Sequence, residues 1–482
     1  MSKSNEEKKV NKWTVLIIVI SMTFMATLDG SIVNVALPSM ARVLNVTTSS
    51  IQFVATVYLI VVAGIILVFG KLGDLFGKTK MFTLGVAIFT IGSLLCGLSG
   101  SYLVLILARV VQAIGAAGAM ANNQGIITET FPPNERGKAL GIVGTAVALG
   151  SLVGPGLGGI IVGAIGWEYI FFINVPIGLI AVIAAIRYLP QAEKKRDQKL
   201  DIPGAVLFLT AIVPLFVSLS EGVSRGFTDG WILAGFAVAA VSFVAFIIVE
   251  KKKKDPLVQF DMFSDQLFSL SIFCGFISFV AIFCHSILLP FYLQDVRAYD
   301  PLTSGLIMMA YPLILSAVAP LSGQLSDKIG SEVLTFLGLC LTSTGLFLMV
   351  GMKEDTRILY LILAIAVMSV GMGMFQSPNN SLVMSTVSRD KLGVAGSINA
   401  LVRNMGMVCG IALATTLLYG MMSYKIGRPV SSYIPGRSDA FIFGMHVVYI
   451  AAGCTSLIGA VLTFLRLVFK KQRNMEQECV GD

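Results

Sequence analysis

Charge is scarce in this chain. Of 482 residues only 13% are Asp, Glu, Lys or Arg, about half of what a soluble domain carries. A large water-soluble enzyme is thereby excluded. Histidine is scarcer still, with two in the whole sequence, and none of the seven cysteines forms a C-x-x-C pair. Six of the seven (Cys96, Cys274, Cys284, Cys340, Cys409 and Cys454) fall within long apolar runs. A Cys/His metal cage needs closely spaced ligands at polar turns, so no metal is expected. No Ser/His/Asp cluster is evident, which argues against an enzyme. The closest approach to a phosphate loop, "GKLGDLFGKTK", has three residues between Gly73 and Gly77 where four are required, and no strand precedes it.

What is abundant is apolar length. The chain is 56% hydrophobic, with a mean hydropathy of +0.85. Runs of some 20 apolar residues, each able to cross a ~30 Å hydrocarbon layer, recur from end to end. The first, at 13–37, has a basic flank (Lys3, Lys8, Lys9, Lys12) but is too long for a signal peptide, so it reads as a retained helix. Breaks at polar and Gly/Pro-rich segments give fourteen spans, the second at 51–70, the sixth at 167–188, the tenth at 304–322 and the last at 441–466. The fold class is an all-α polytopic membrane protein. Of the 35 Lys and Arg residues, 25 fall on one set of loops and the termini, 8 on the other set, and two (Arg109 and Arg403) inside spans. Basic residues favour the cytoplasm, so both termini are placed there, and the net charge of +8 reflects topology rather than nucleic-acid binding.

A repeat divides the chain. "GKLGDLFG" (Gly70 to Gly77) follows the second span and "GQLSDKIG" (Gly323 to Gly330) the tenth, both fitting G-x-L-x-D-x-x-G in what read as short cytoplasmic loops. Two six-helix halves, 1–190 and 262–482, with two inserted helices and charged connections at 191–261, follow from this 6+2+6 spacing. Duplicated halves suit alternating access to a midplane site.

Five stretches in order then carry a family resemblance: "LDGSIVNVALP" (28–38), "GKLGDLFGKTKMF" (70–82), "RVVQAIGAAG" (109–118), "GSLVGPGLGG" (150–159) and "WEYIFFINVPIG" (167–178). Together they resemble the fourteen-helix drug:proton antiporter branch of the major facilitator superfamily, the EmrB/QacA type. Ala113, Lys78 and Glu168 depart from its commonest residues. The resemblance implies the major facilitator fold and a transporter in the cytoplasmic membrane, driven by the proton gradient without a cofactor. It also implies that Arg109 takes part in proton transfer, that Gly70, Asp74, Gly77, Lys78 and the repeat's Asp327 form a conformational latch, and that Gly150, Gly154, Pro155, Gly158 and Gly159 are the antiporter motif. The glycines at i+4 line one helix face and permit close approach of a neighbour, and Pro155 bends the helix.

Asp29 is the one residue whose chemistry stands out unaided. Its charged form in a span costs ~2.5–3.5 kcal/mol, and protonating it at neutral pH costs ~4 kcal/mol. With the two so nearly matched, a change of neighbours can switch it. From Trp13 it lies ~24 Å up the helix, in the outer half. Arg109 is expected to bond Gln112 or loop carbonyls, with Asp29 out of its direct reach. Asn34, Asn122, Asn123, Gln376, Asn379, Asn380, Asn399 and Arg403 are further polar residues in spans, suited to substrate contact or helix-to-helix bonding. Glu129 and Glu135 are read as solvated loop residues, His285 and His446 as packing groups. With 21 Met and 30 Phe the spans can form an adaptable apolar cavity, and Asp29 apart it offers no acid for a cationic drug. The expected activity is export of an amphipathic compound, multidrug efflux foremost, by a monomer. The alternatives are export of one endogenous metabolite, lipid or organic anion facing Arg109 or Arg403, and a non-transporting sensor.

Overall fold

The computed structural model describes residues 11–190, 201–253, 260–387 and 392–480. Lys3, Lys8 and Lys9, part of the charged connections around the inserted helices, and the side chain of Asp327 lie outside the described residues. Every long element among them is helical: α1 (Lys12–Val43), α2 (Thr48–Phe76), α3 (Lys78–Gly97), α4 (Tyr102–Thr130), α5 (Pro133–Ala164), the short α6 (Tyr169–Phe172), α7 (Asn174–Tyr188), α8 (Ile202–Arg225), α9 (Gly230–Glu250), α10 (Gln266–Phe291), α11 (Pro301–Met308), α12 (Ala310–Ile329), α13 (Ser331–Met349), α14 (Ile358–Ser385), α15 (Leu392–Ile426) and α16 (Ser438–Val480). Fourteen spans are long and apolar enough to cross a membrane, the sixth and tenth each built of two helices. Apolar runs supply length, and polar caps set the starts. Asn11 accepts from Trp13 N at 3.0 Å, Thr47 from Ser50 N at 3.2 Å and Asp265 from Phe268 N at 2.8 Å.

The repeated motifs are not loops. Gly70 to Phe76 continues α2, and the second copy continues α12, so each motif is the last two turns of its helix. The reversal is confined to one residue in each copy, Gly77 at φ 100° and Gly330 at φ 92°. A side chain is disfavoured there, which is why both motifs end on glycine. Helix packing repeats too. A Cβ on Gly92 would overlap the backbone of Gln112, and one on Gly345 would sit 2.5 Å from the nitrogen of Met368, so α3 lies on α4 as α13 lies on α14.

Helix α8 packs against α2 and α15, one helix from each side of the seam, and α9 packs mainly on α8. Asp201 caps α8, accepting from Gly204 N at 2.7 Å and pairing with Lys253. Burial pushes the Asp201 carboxyl up, but hydrogen bonds involving Glu250, Lys253 and the Gly204 amide outweigh it and hold it below its ordinary value. Since its folded pKa is depressed, the stabilisation is present above the ordinary carboxylate value of 3.8 and lost as pH falls through the lowered one. Asp201→Ala is expected to cost about 1 kcal/mol near neutrality. In thermal melts of the purified protein, the gap from wild type should close as the buffer is acidified.

The outer ends of the helices are drawn together. Gln294 Nε2 donates to Val35 O at 2.9 Å, Asn34 Nδ2 to Ser286 Oγ at 3.1 Å and Ser49 N to Ser431 O at 3.0 Å, while Thr415 bonds Gln52. At the inner ends, the ion pairs among the described residues each stay within one side of the seam. Lys12 meets Glu135 at 2.5 Å and Lys78 meets Glu129 at 2.7 Å. Among the described residues, hydrogen bonds therefore cross the seam at the outer ends while the inner-end ion pairs do not. Glu129 and Glu135 were expected in a solvated loop. They are instead helical and ion-paired, because α4 and α5 extend beyond their apolar runs and are separated by only two residues.

Candidate functional site

Asp29 is completely buried, and so are Gln112 and Asn174. Arg109, 1% exposed, donates from Nη1 to Asp29 Oδ2 at 2.6 Å and to Gln112 Oε1 at 2.6 Å, and from Nε to Val54 O at 3.2 Å. Gln112 Nε2 donates to Asp29 Oδ1 at 2.8 Å and to Ser93 Oγ at 2.8 Å, and Asn174 Nδ2 reaches the same carboxylate oxygen at 3.3 Å. The Tyr58 ring covers the guanidinium, 4.4 Å from ring centre to Cζ. Four helices, α1, α2, α4 and α7, thus converge on one charge pair in the apolar interior.

The direct ion pair corrects the expectation that Asp29 stood out of Arg109's reach. The error lay in direction. Helix α4 runs from outside inward, so Arg109, seven residues from its outer end at Tyr102, lies ~10 Å below the outer surface. Asp29, ~24 Å up from the inner end across a ~30 Å layer, lies in the same outer part, within reach of an arginine side chain. Helix α1 also runs through Pro38 to Val43, which puts Asp29 near its midpoint. The predicted bond from Arg109 to Gln112 is present. Asn174, Ser93 and Tyr58 were not singled out from sequence. Asn174 had a signal, being an amide in the quoted "FINVPIG" of an otherwise apolar span.

The remaining polar residues separate into two groups. Asn122 donates to Gly118 O at 2.8 Å and Phe69 O at 3.3 Å, Asn123 to Thr23 Oγ1 at 2.9 Å and Asn379 to Ser271 O at 3.1 Å. These three bind helix to helix. Asn380, exposed, accepts from Asn399 Nδ2 at 3.1 Å, while half-buried Gln376 and Arg403 make no hydrogen bond among the described residues. His285 is buried with Nδ1 3.2 Å from the Tyr449 hydroxyl, and His446 lies 2.6 Å from Met352 O.

The glycines of α5 press on two neighbours. Those at 150, 154 and 158 face α1, where a Cβ would meet Phe24 O, Ser31 or Ile32. Ser31 Oγ donates to Gly150 O at 3.0 Å across that contact. Gly159 faces α11 beyond the seam, its Cβ falling 2.5 Å from Pro301 O, and Gly305 of α11 in turn abuts Pro155 O. At the inner end Asp74 pairs with Lys78 at 3.4 Å. Among the described residues it makes no ion pair across the seam.

A fourteen-span helical bundle with duplicated packing around a buried charge pair has the architecture of a membrane transporter. The family model described as Major Facilitator Superfamily matches residues 19–411, and the chain belongs to that family. It is 35% identical over 453 residues to the riboflavin transporter RibZ of Clostridioides difficile (strain 630), covering 94% of this chain and 97% of that one. It is 30% identical over 413 residues to the multidrug resistance protein Stp of Mycobacterium tuberculosis, covering 86% and 77%. A crystal structure of a POT family transporter in complex with a thioalcohol-conjugated peptide superposes with a TM-score of 0.71 at 15% identity, over 96% of both chains. That likeness speaks to the fold.

Proposed function

We propose that this protein is a proton-coupled antiporter of the cytoplasmic membrane that exports an amphipathic compound, working as a monomer by alternating access. The observation that carries the reading is the fully buried Asp29–Arg109 pair, held at 2.6 Å with both carboxylate oxygens bonded. A buried pair of this kind is costly to desolvate and is weak evidence of a stability role. It suits a switch. Protonating Asp29 removes the charge that Arg109, Gln112 and Asn174 converge on, loosening the junction of α1 with α4 and α7. Proton and substrate then favour opposite-facing states, as differential affinity requires. In the outward-open state, Asp74 latches the inner ends, where here it pairs with Lys78 of its own half.

Each proton entering supplies ~1.4 kcal/mol per pH unit and ~2.3 kcal/mol per 100 mV. In everted vesicles carrying the protein and a pH-sensitive dye, addition of an exported compound should dissipate an imposed gradient. No dissipation with any compound that the vesicles demonstrably accumulate would refute antiport. Multidrug export is supported by relatives such as Stp, and transport of a single compound by the likeness to RibZ. Riboflavin belongs in the first panel of compounds for that reason. Saturable accumulation of it, with dye-like cations excluded, would favour the single-compound reading and remove drug resistance from the protein's roles.

A further inference from the structure

Three arginines within the spans are buried or half-buried, and two are accounted for. Arg109 is neutralised by Asp29. Arg466 donates to Ser271 Oγ at 3.3 Å and Thr335 Oγ1 at 2.7 Å. Arg403 differs from both. None of its five N–H groups finds an acceptor among the described residues, and its Nε is buried without a partner. It lies eleven residues into α15, ~16 Å from the inner end, too deep for the side chain to reach lipid headgroups. A guanidinium so placed carries a desolvation cost that something must offset.

The face of α15 that bears Arg403 is flanked by contacts with both halves, Gly406 and Gly410 abutting α10 of its own half. Seven residues earlier, Gly396 abuts the Gln124 side chain of α4, which belongs to the first half. Four residues earlier, Asn399 donates to Asn380 of α14. Helices α14 and α15 run antiparallel, so one turn deeper on each places Gln376 opposite Arg403. Gln376 also makes no hydrogen bond among the described residues. The rung at Asn380 and Asn399 is closed. The rung above it presents a charged fork and an amide without protein partners among the described residues.

We infer that Arg403 and Gln376 form an anion-recognition subsite, and that the exported compound is an amphipathic organic anion, a carboxylate or sulfonate on an apolar body. The inference rests on the export reading for its purpose, but not for its geometry. With the Asp29–Arg109 pair summing to zero, Arg403 adds a positive charge that no ion pair among the described residues neutralises. Planar guanidinium recognises carboxylate and sulfonate oxygens through paired N–H donors. An organic cation meets repulsion there.

The test is equilibrium binding to the full-length protein in nanodiscs, with empty nanodiscs subtracted. The probes share one fluorescent body: pyrenebutyrate, its primary amide, and a pyrenebutyl trimethylammonium cation. Wild type should bind the acid about tenfold or more tightly than the amide, the scale of a hydrogen bond to a charged group, and the cation most weakly. Arg403→Gln should abolish the acid's advantage while leaving amide affinity within about threefold, and Arg403→Lys should keep part of it. Equal binding of acid and amide to wild type overturns the inference, and so does an advantage that survives in Arg403→Gln. The wild-type ranking stands even where a variant fails to fold. No gradient is present in this assay, so its failure leaves the antiport test untouched, and failure of the vesicle test leaves this one untouched.

Discussion

Asp29→Asn is expected to end uphill export and to destabilise the protein at the same time. The carboxylate that takes 2.6, 2.8 and 3.3 Å bonds from Arg109, Gln112 and Asn174 becomes a neutral amide of nearly the same shape. Steric fit is preserved and charge is lost. Arg109 then remains buried with no counter-charge, and breaking one partner of a buried pair costs about 3–5 kcal/mol. That loss alone would explain a dead transporter without any role in proton coupling, so the single variant decides little. The pair Asp29→Asn with Arg109→Gln removes both charges and should recover most of the thermal stability. Export by the double variant, assayed as substrate accumulation in everted vesicles, should stay at background, and no substrate should release protons. A stable double variant that still concentrates substrate against a gradient would show that this pair only holds helices together.

The second large effect is expected at the outer seam. A methyl on Gly305 would overlap the carbonyl oxygen of Pro155, and a Cβ on Gly159 falls 2.5 Å from that of Pro301. Both obstacles are backbone, so no side chain can swing aside and the helices must part. Overpacking of this sort costs about 1–3 kcal/mol, which shifts a two-state equilibrium by roughly 5- to 150-fold. Gly305→Ala and Gly159→Val should therefore drive the population away from the outer-closed arrangement. A cysteine replacing Ser286, which bonds Asn34 inside that seam, reports the change through labelling by a membrane-impermeant maleimide. Labelling should rise in both glycine variants and export should fall. Gly163→Ala, on the same helix with open space around it, should match its parent in both. Unchanged labelling in Gly305→Ala would mean that the α5–α11 contact does not gate the outer face.

Hydropathy made the number of spans legible, because each crossing has to satisfy its backbone within a single helix. The repeat was legible at the level of pattern, but its conformation was not. A run rich in Gly and charge reads as a turn, whereas α2 and α12 carry it helically as far as Gly77 and Gly330. The charge of Asp29 marked it from the sequence alone. Its partner was obscured because opposed helices must be counted from opposite surfaces before depths compare. The amides resisted reading for another reason: Asn122 and Asn380 are the same residue type in the same kind of span. Only the neighbouring Phe69 carbonyl in one case, and the exposed face shared with Asn399 in the other, separate a brace from a lining residue.

The duplicated packing of α3 on α4 and α13 on α14 sets a register between the halves, Gln112 matching Met368 and Arg109 matching Ile365. Ile365 is fully buried and apolar, so at the position matching Arg109 the second half carries no charge. Under the proposed coupling the two halves divide the labour, one holding the motor and the other free to specialise in cargo. In that proposed coupling, a single acidic piston takes one H⁺ per stroke. For an uncharged cargo, a force of one pH unit and 100 mV amounts to about 3.7 kcal/mol, and the steepest gradient such a machine can sustain is a ratio of about 500.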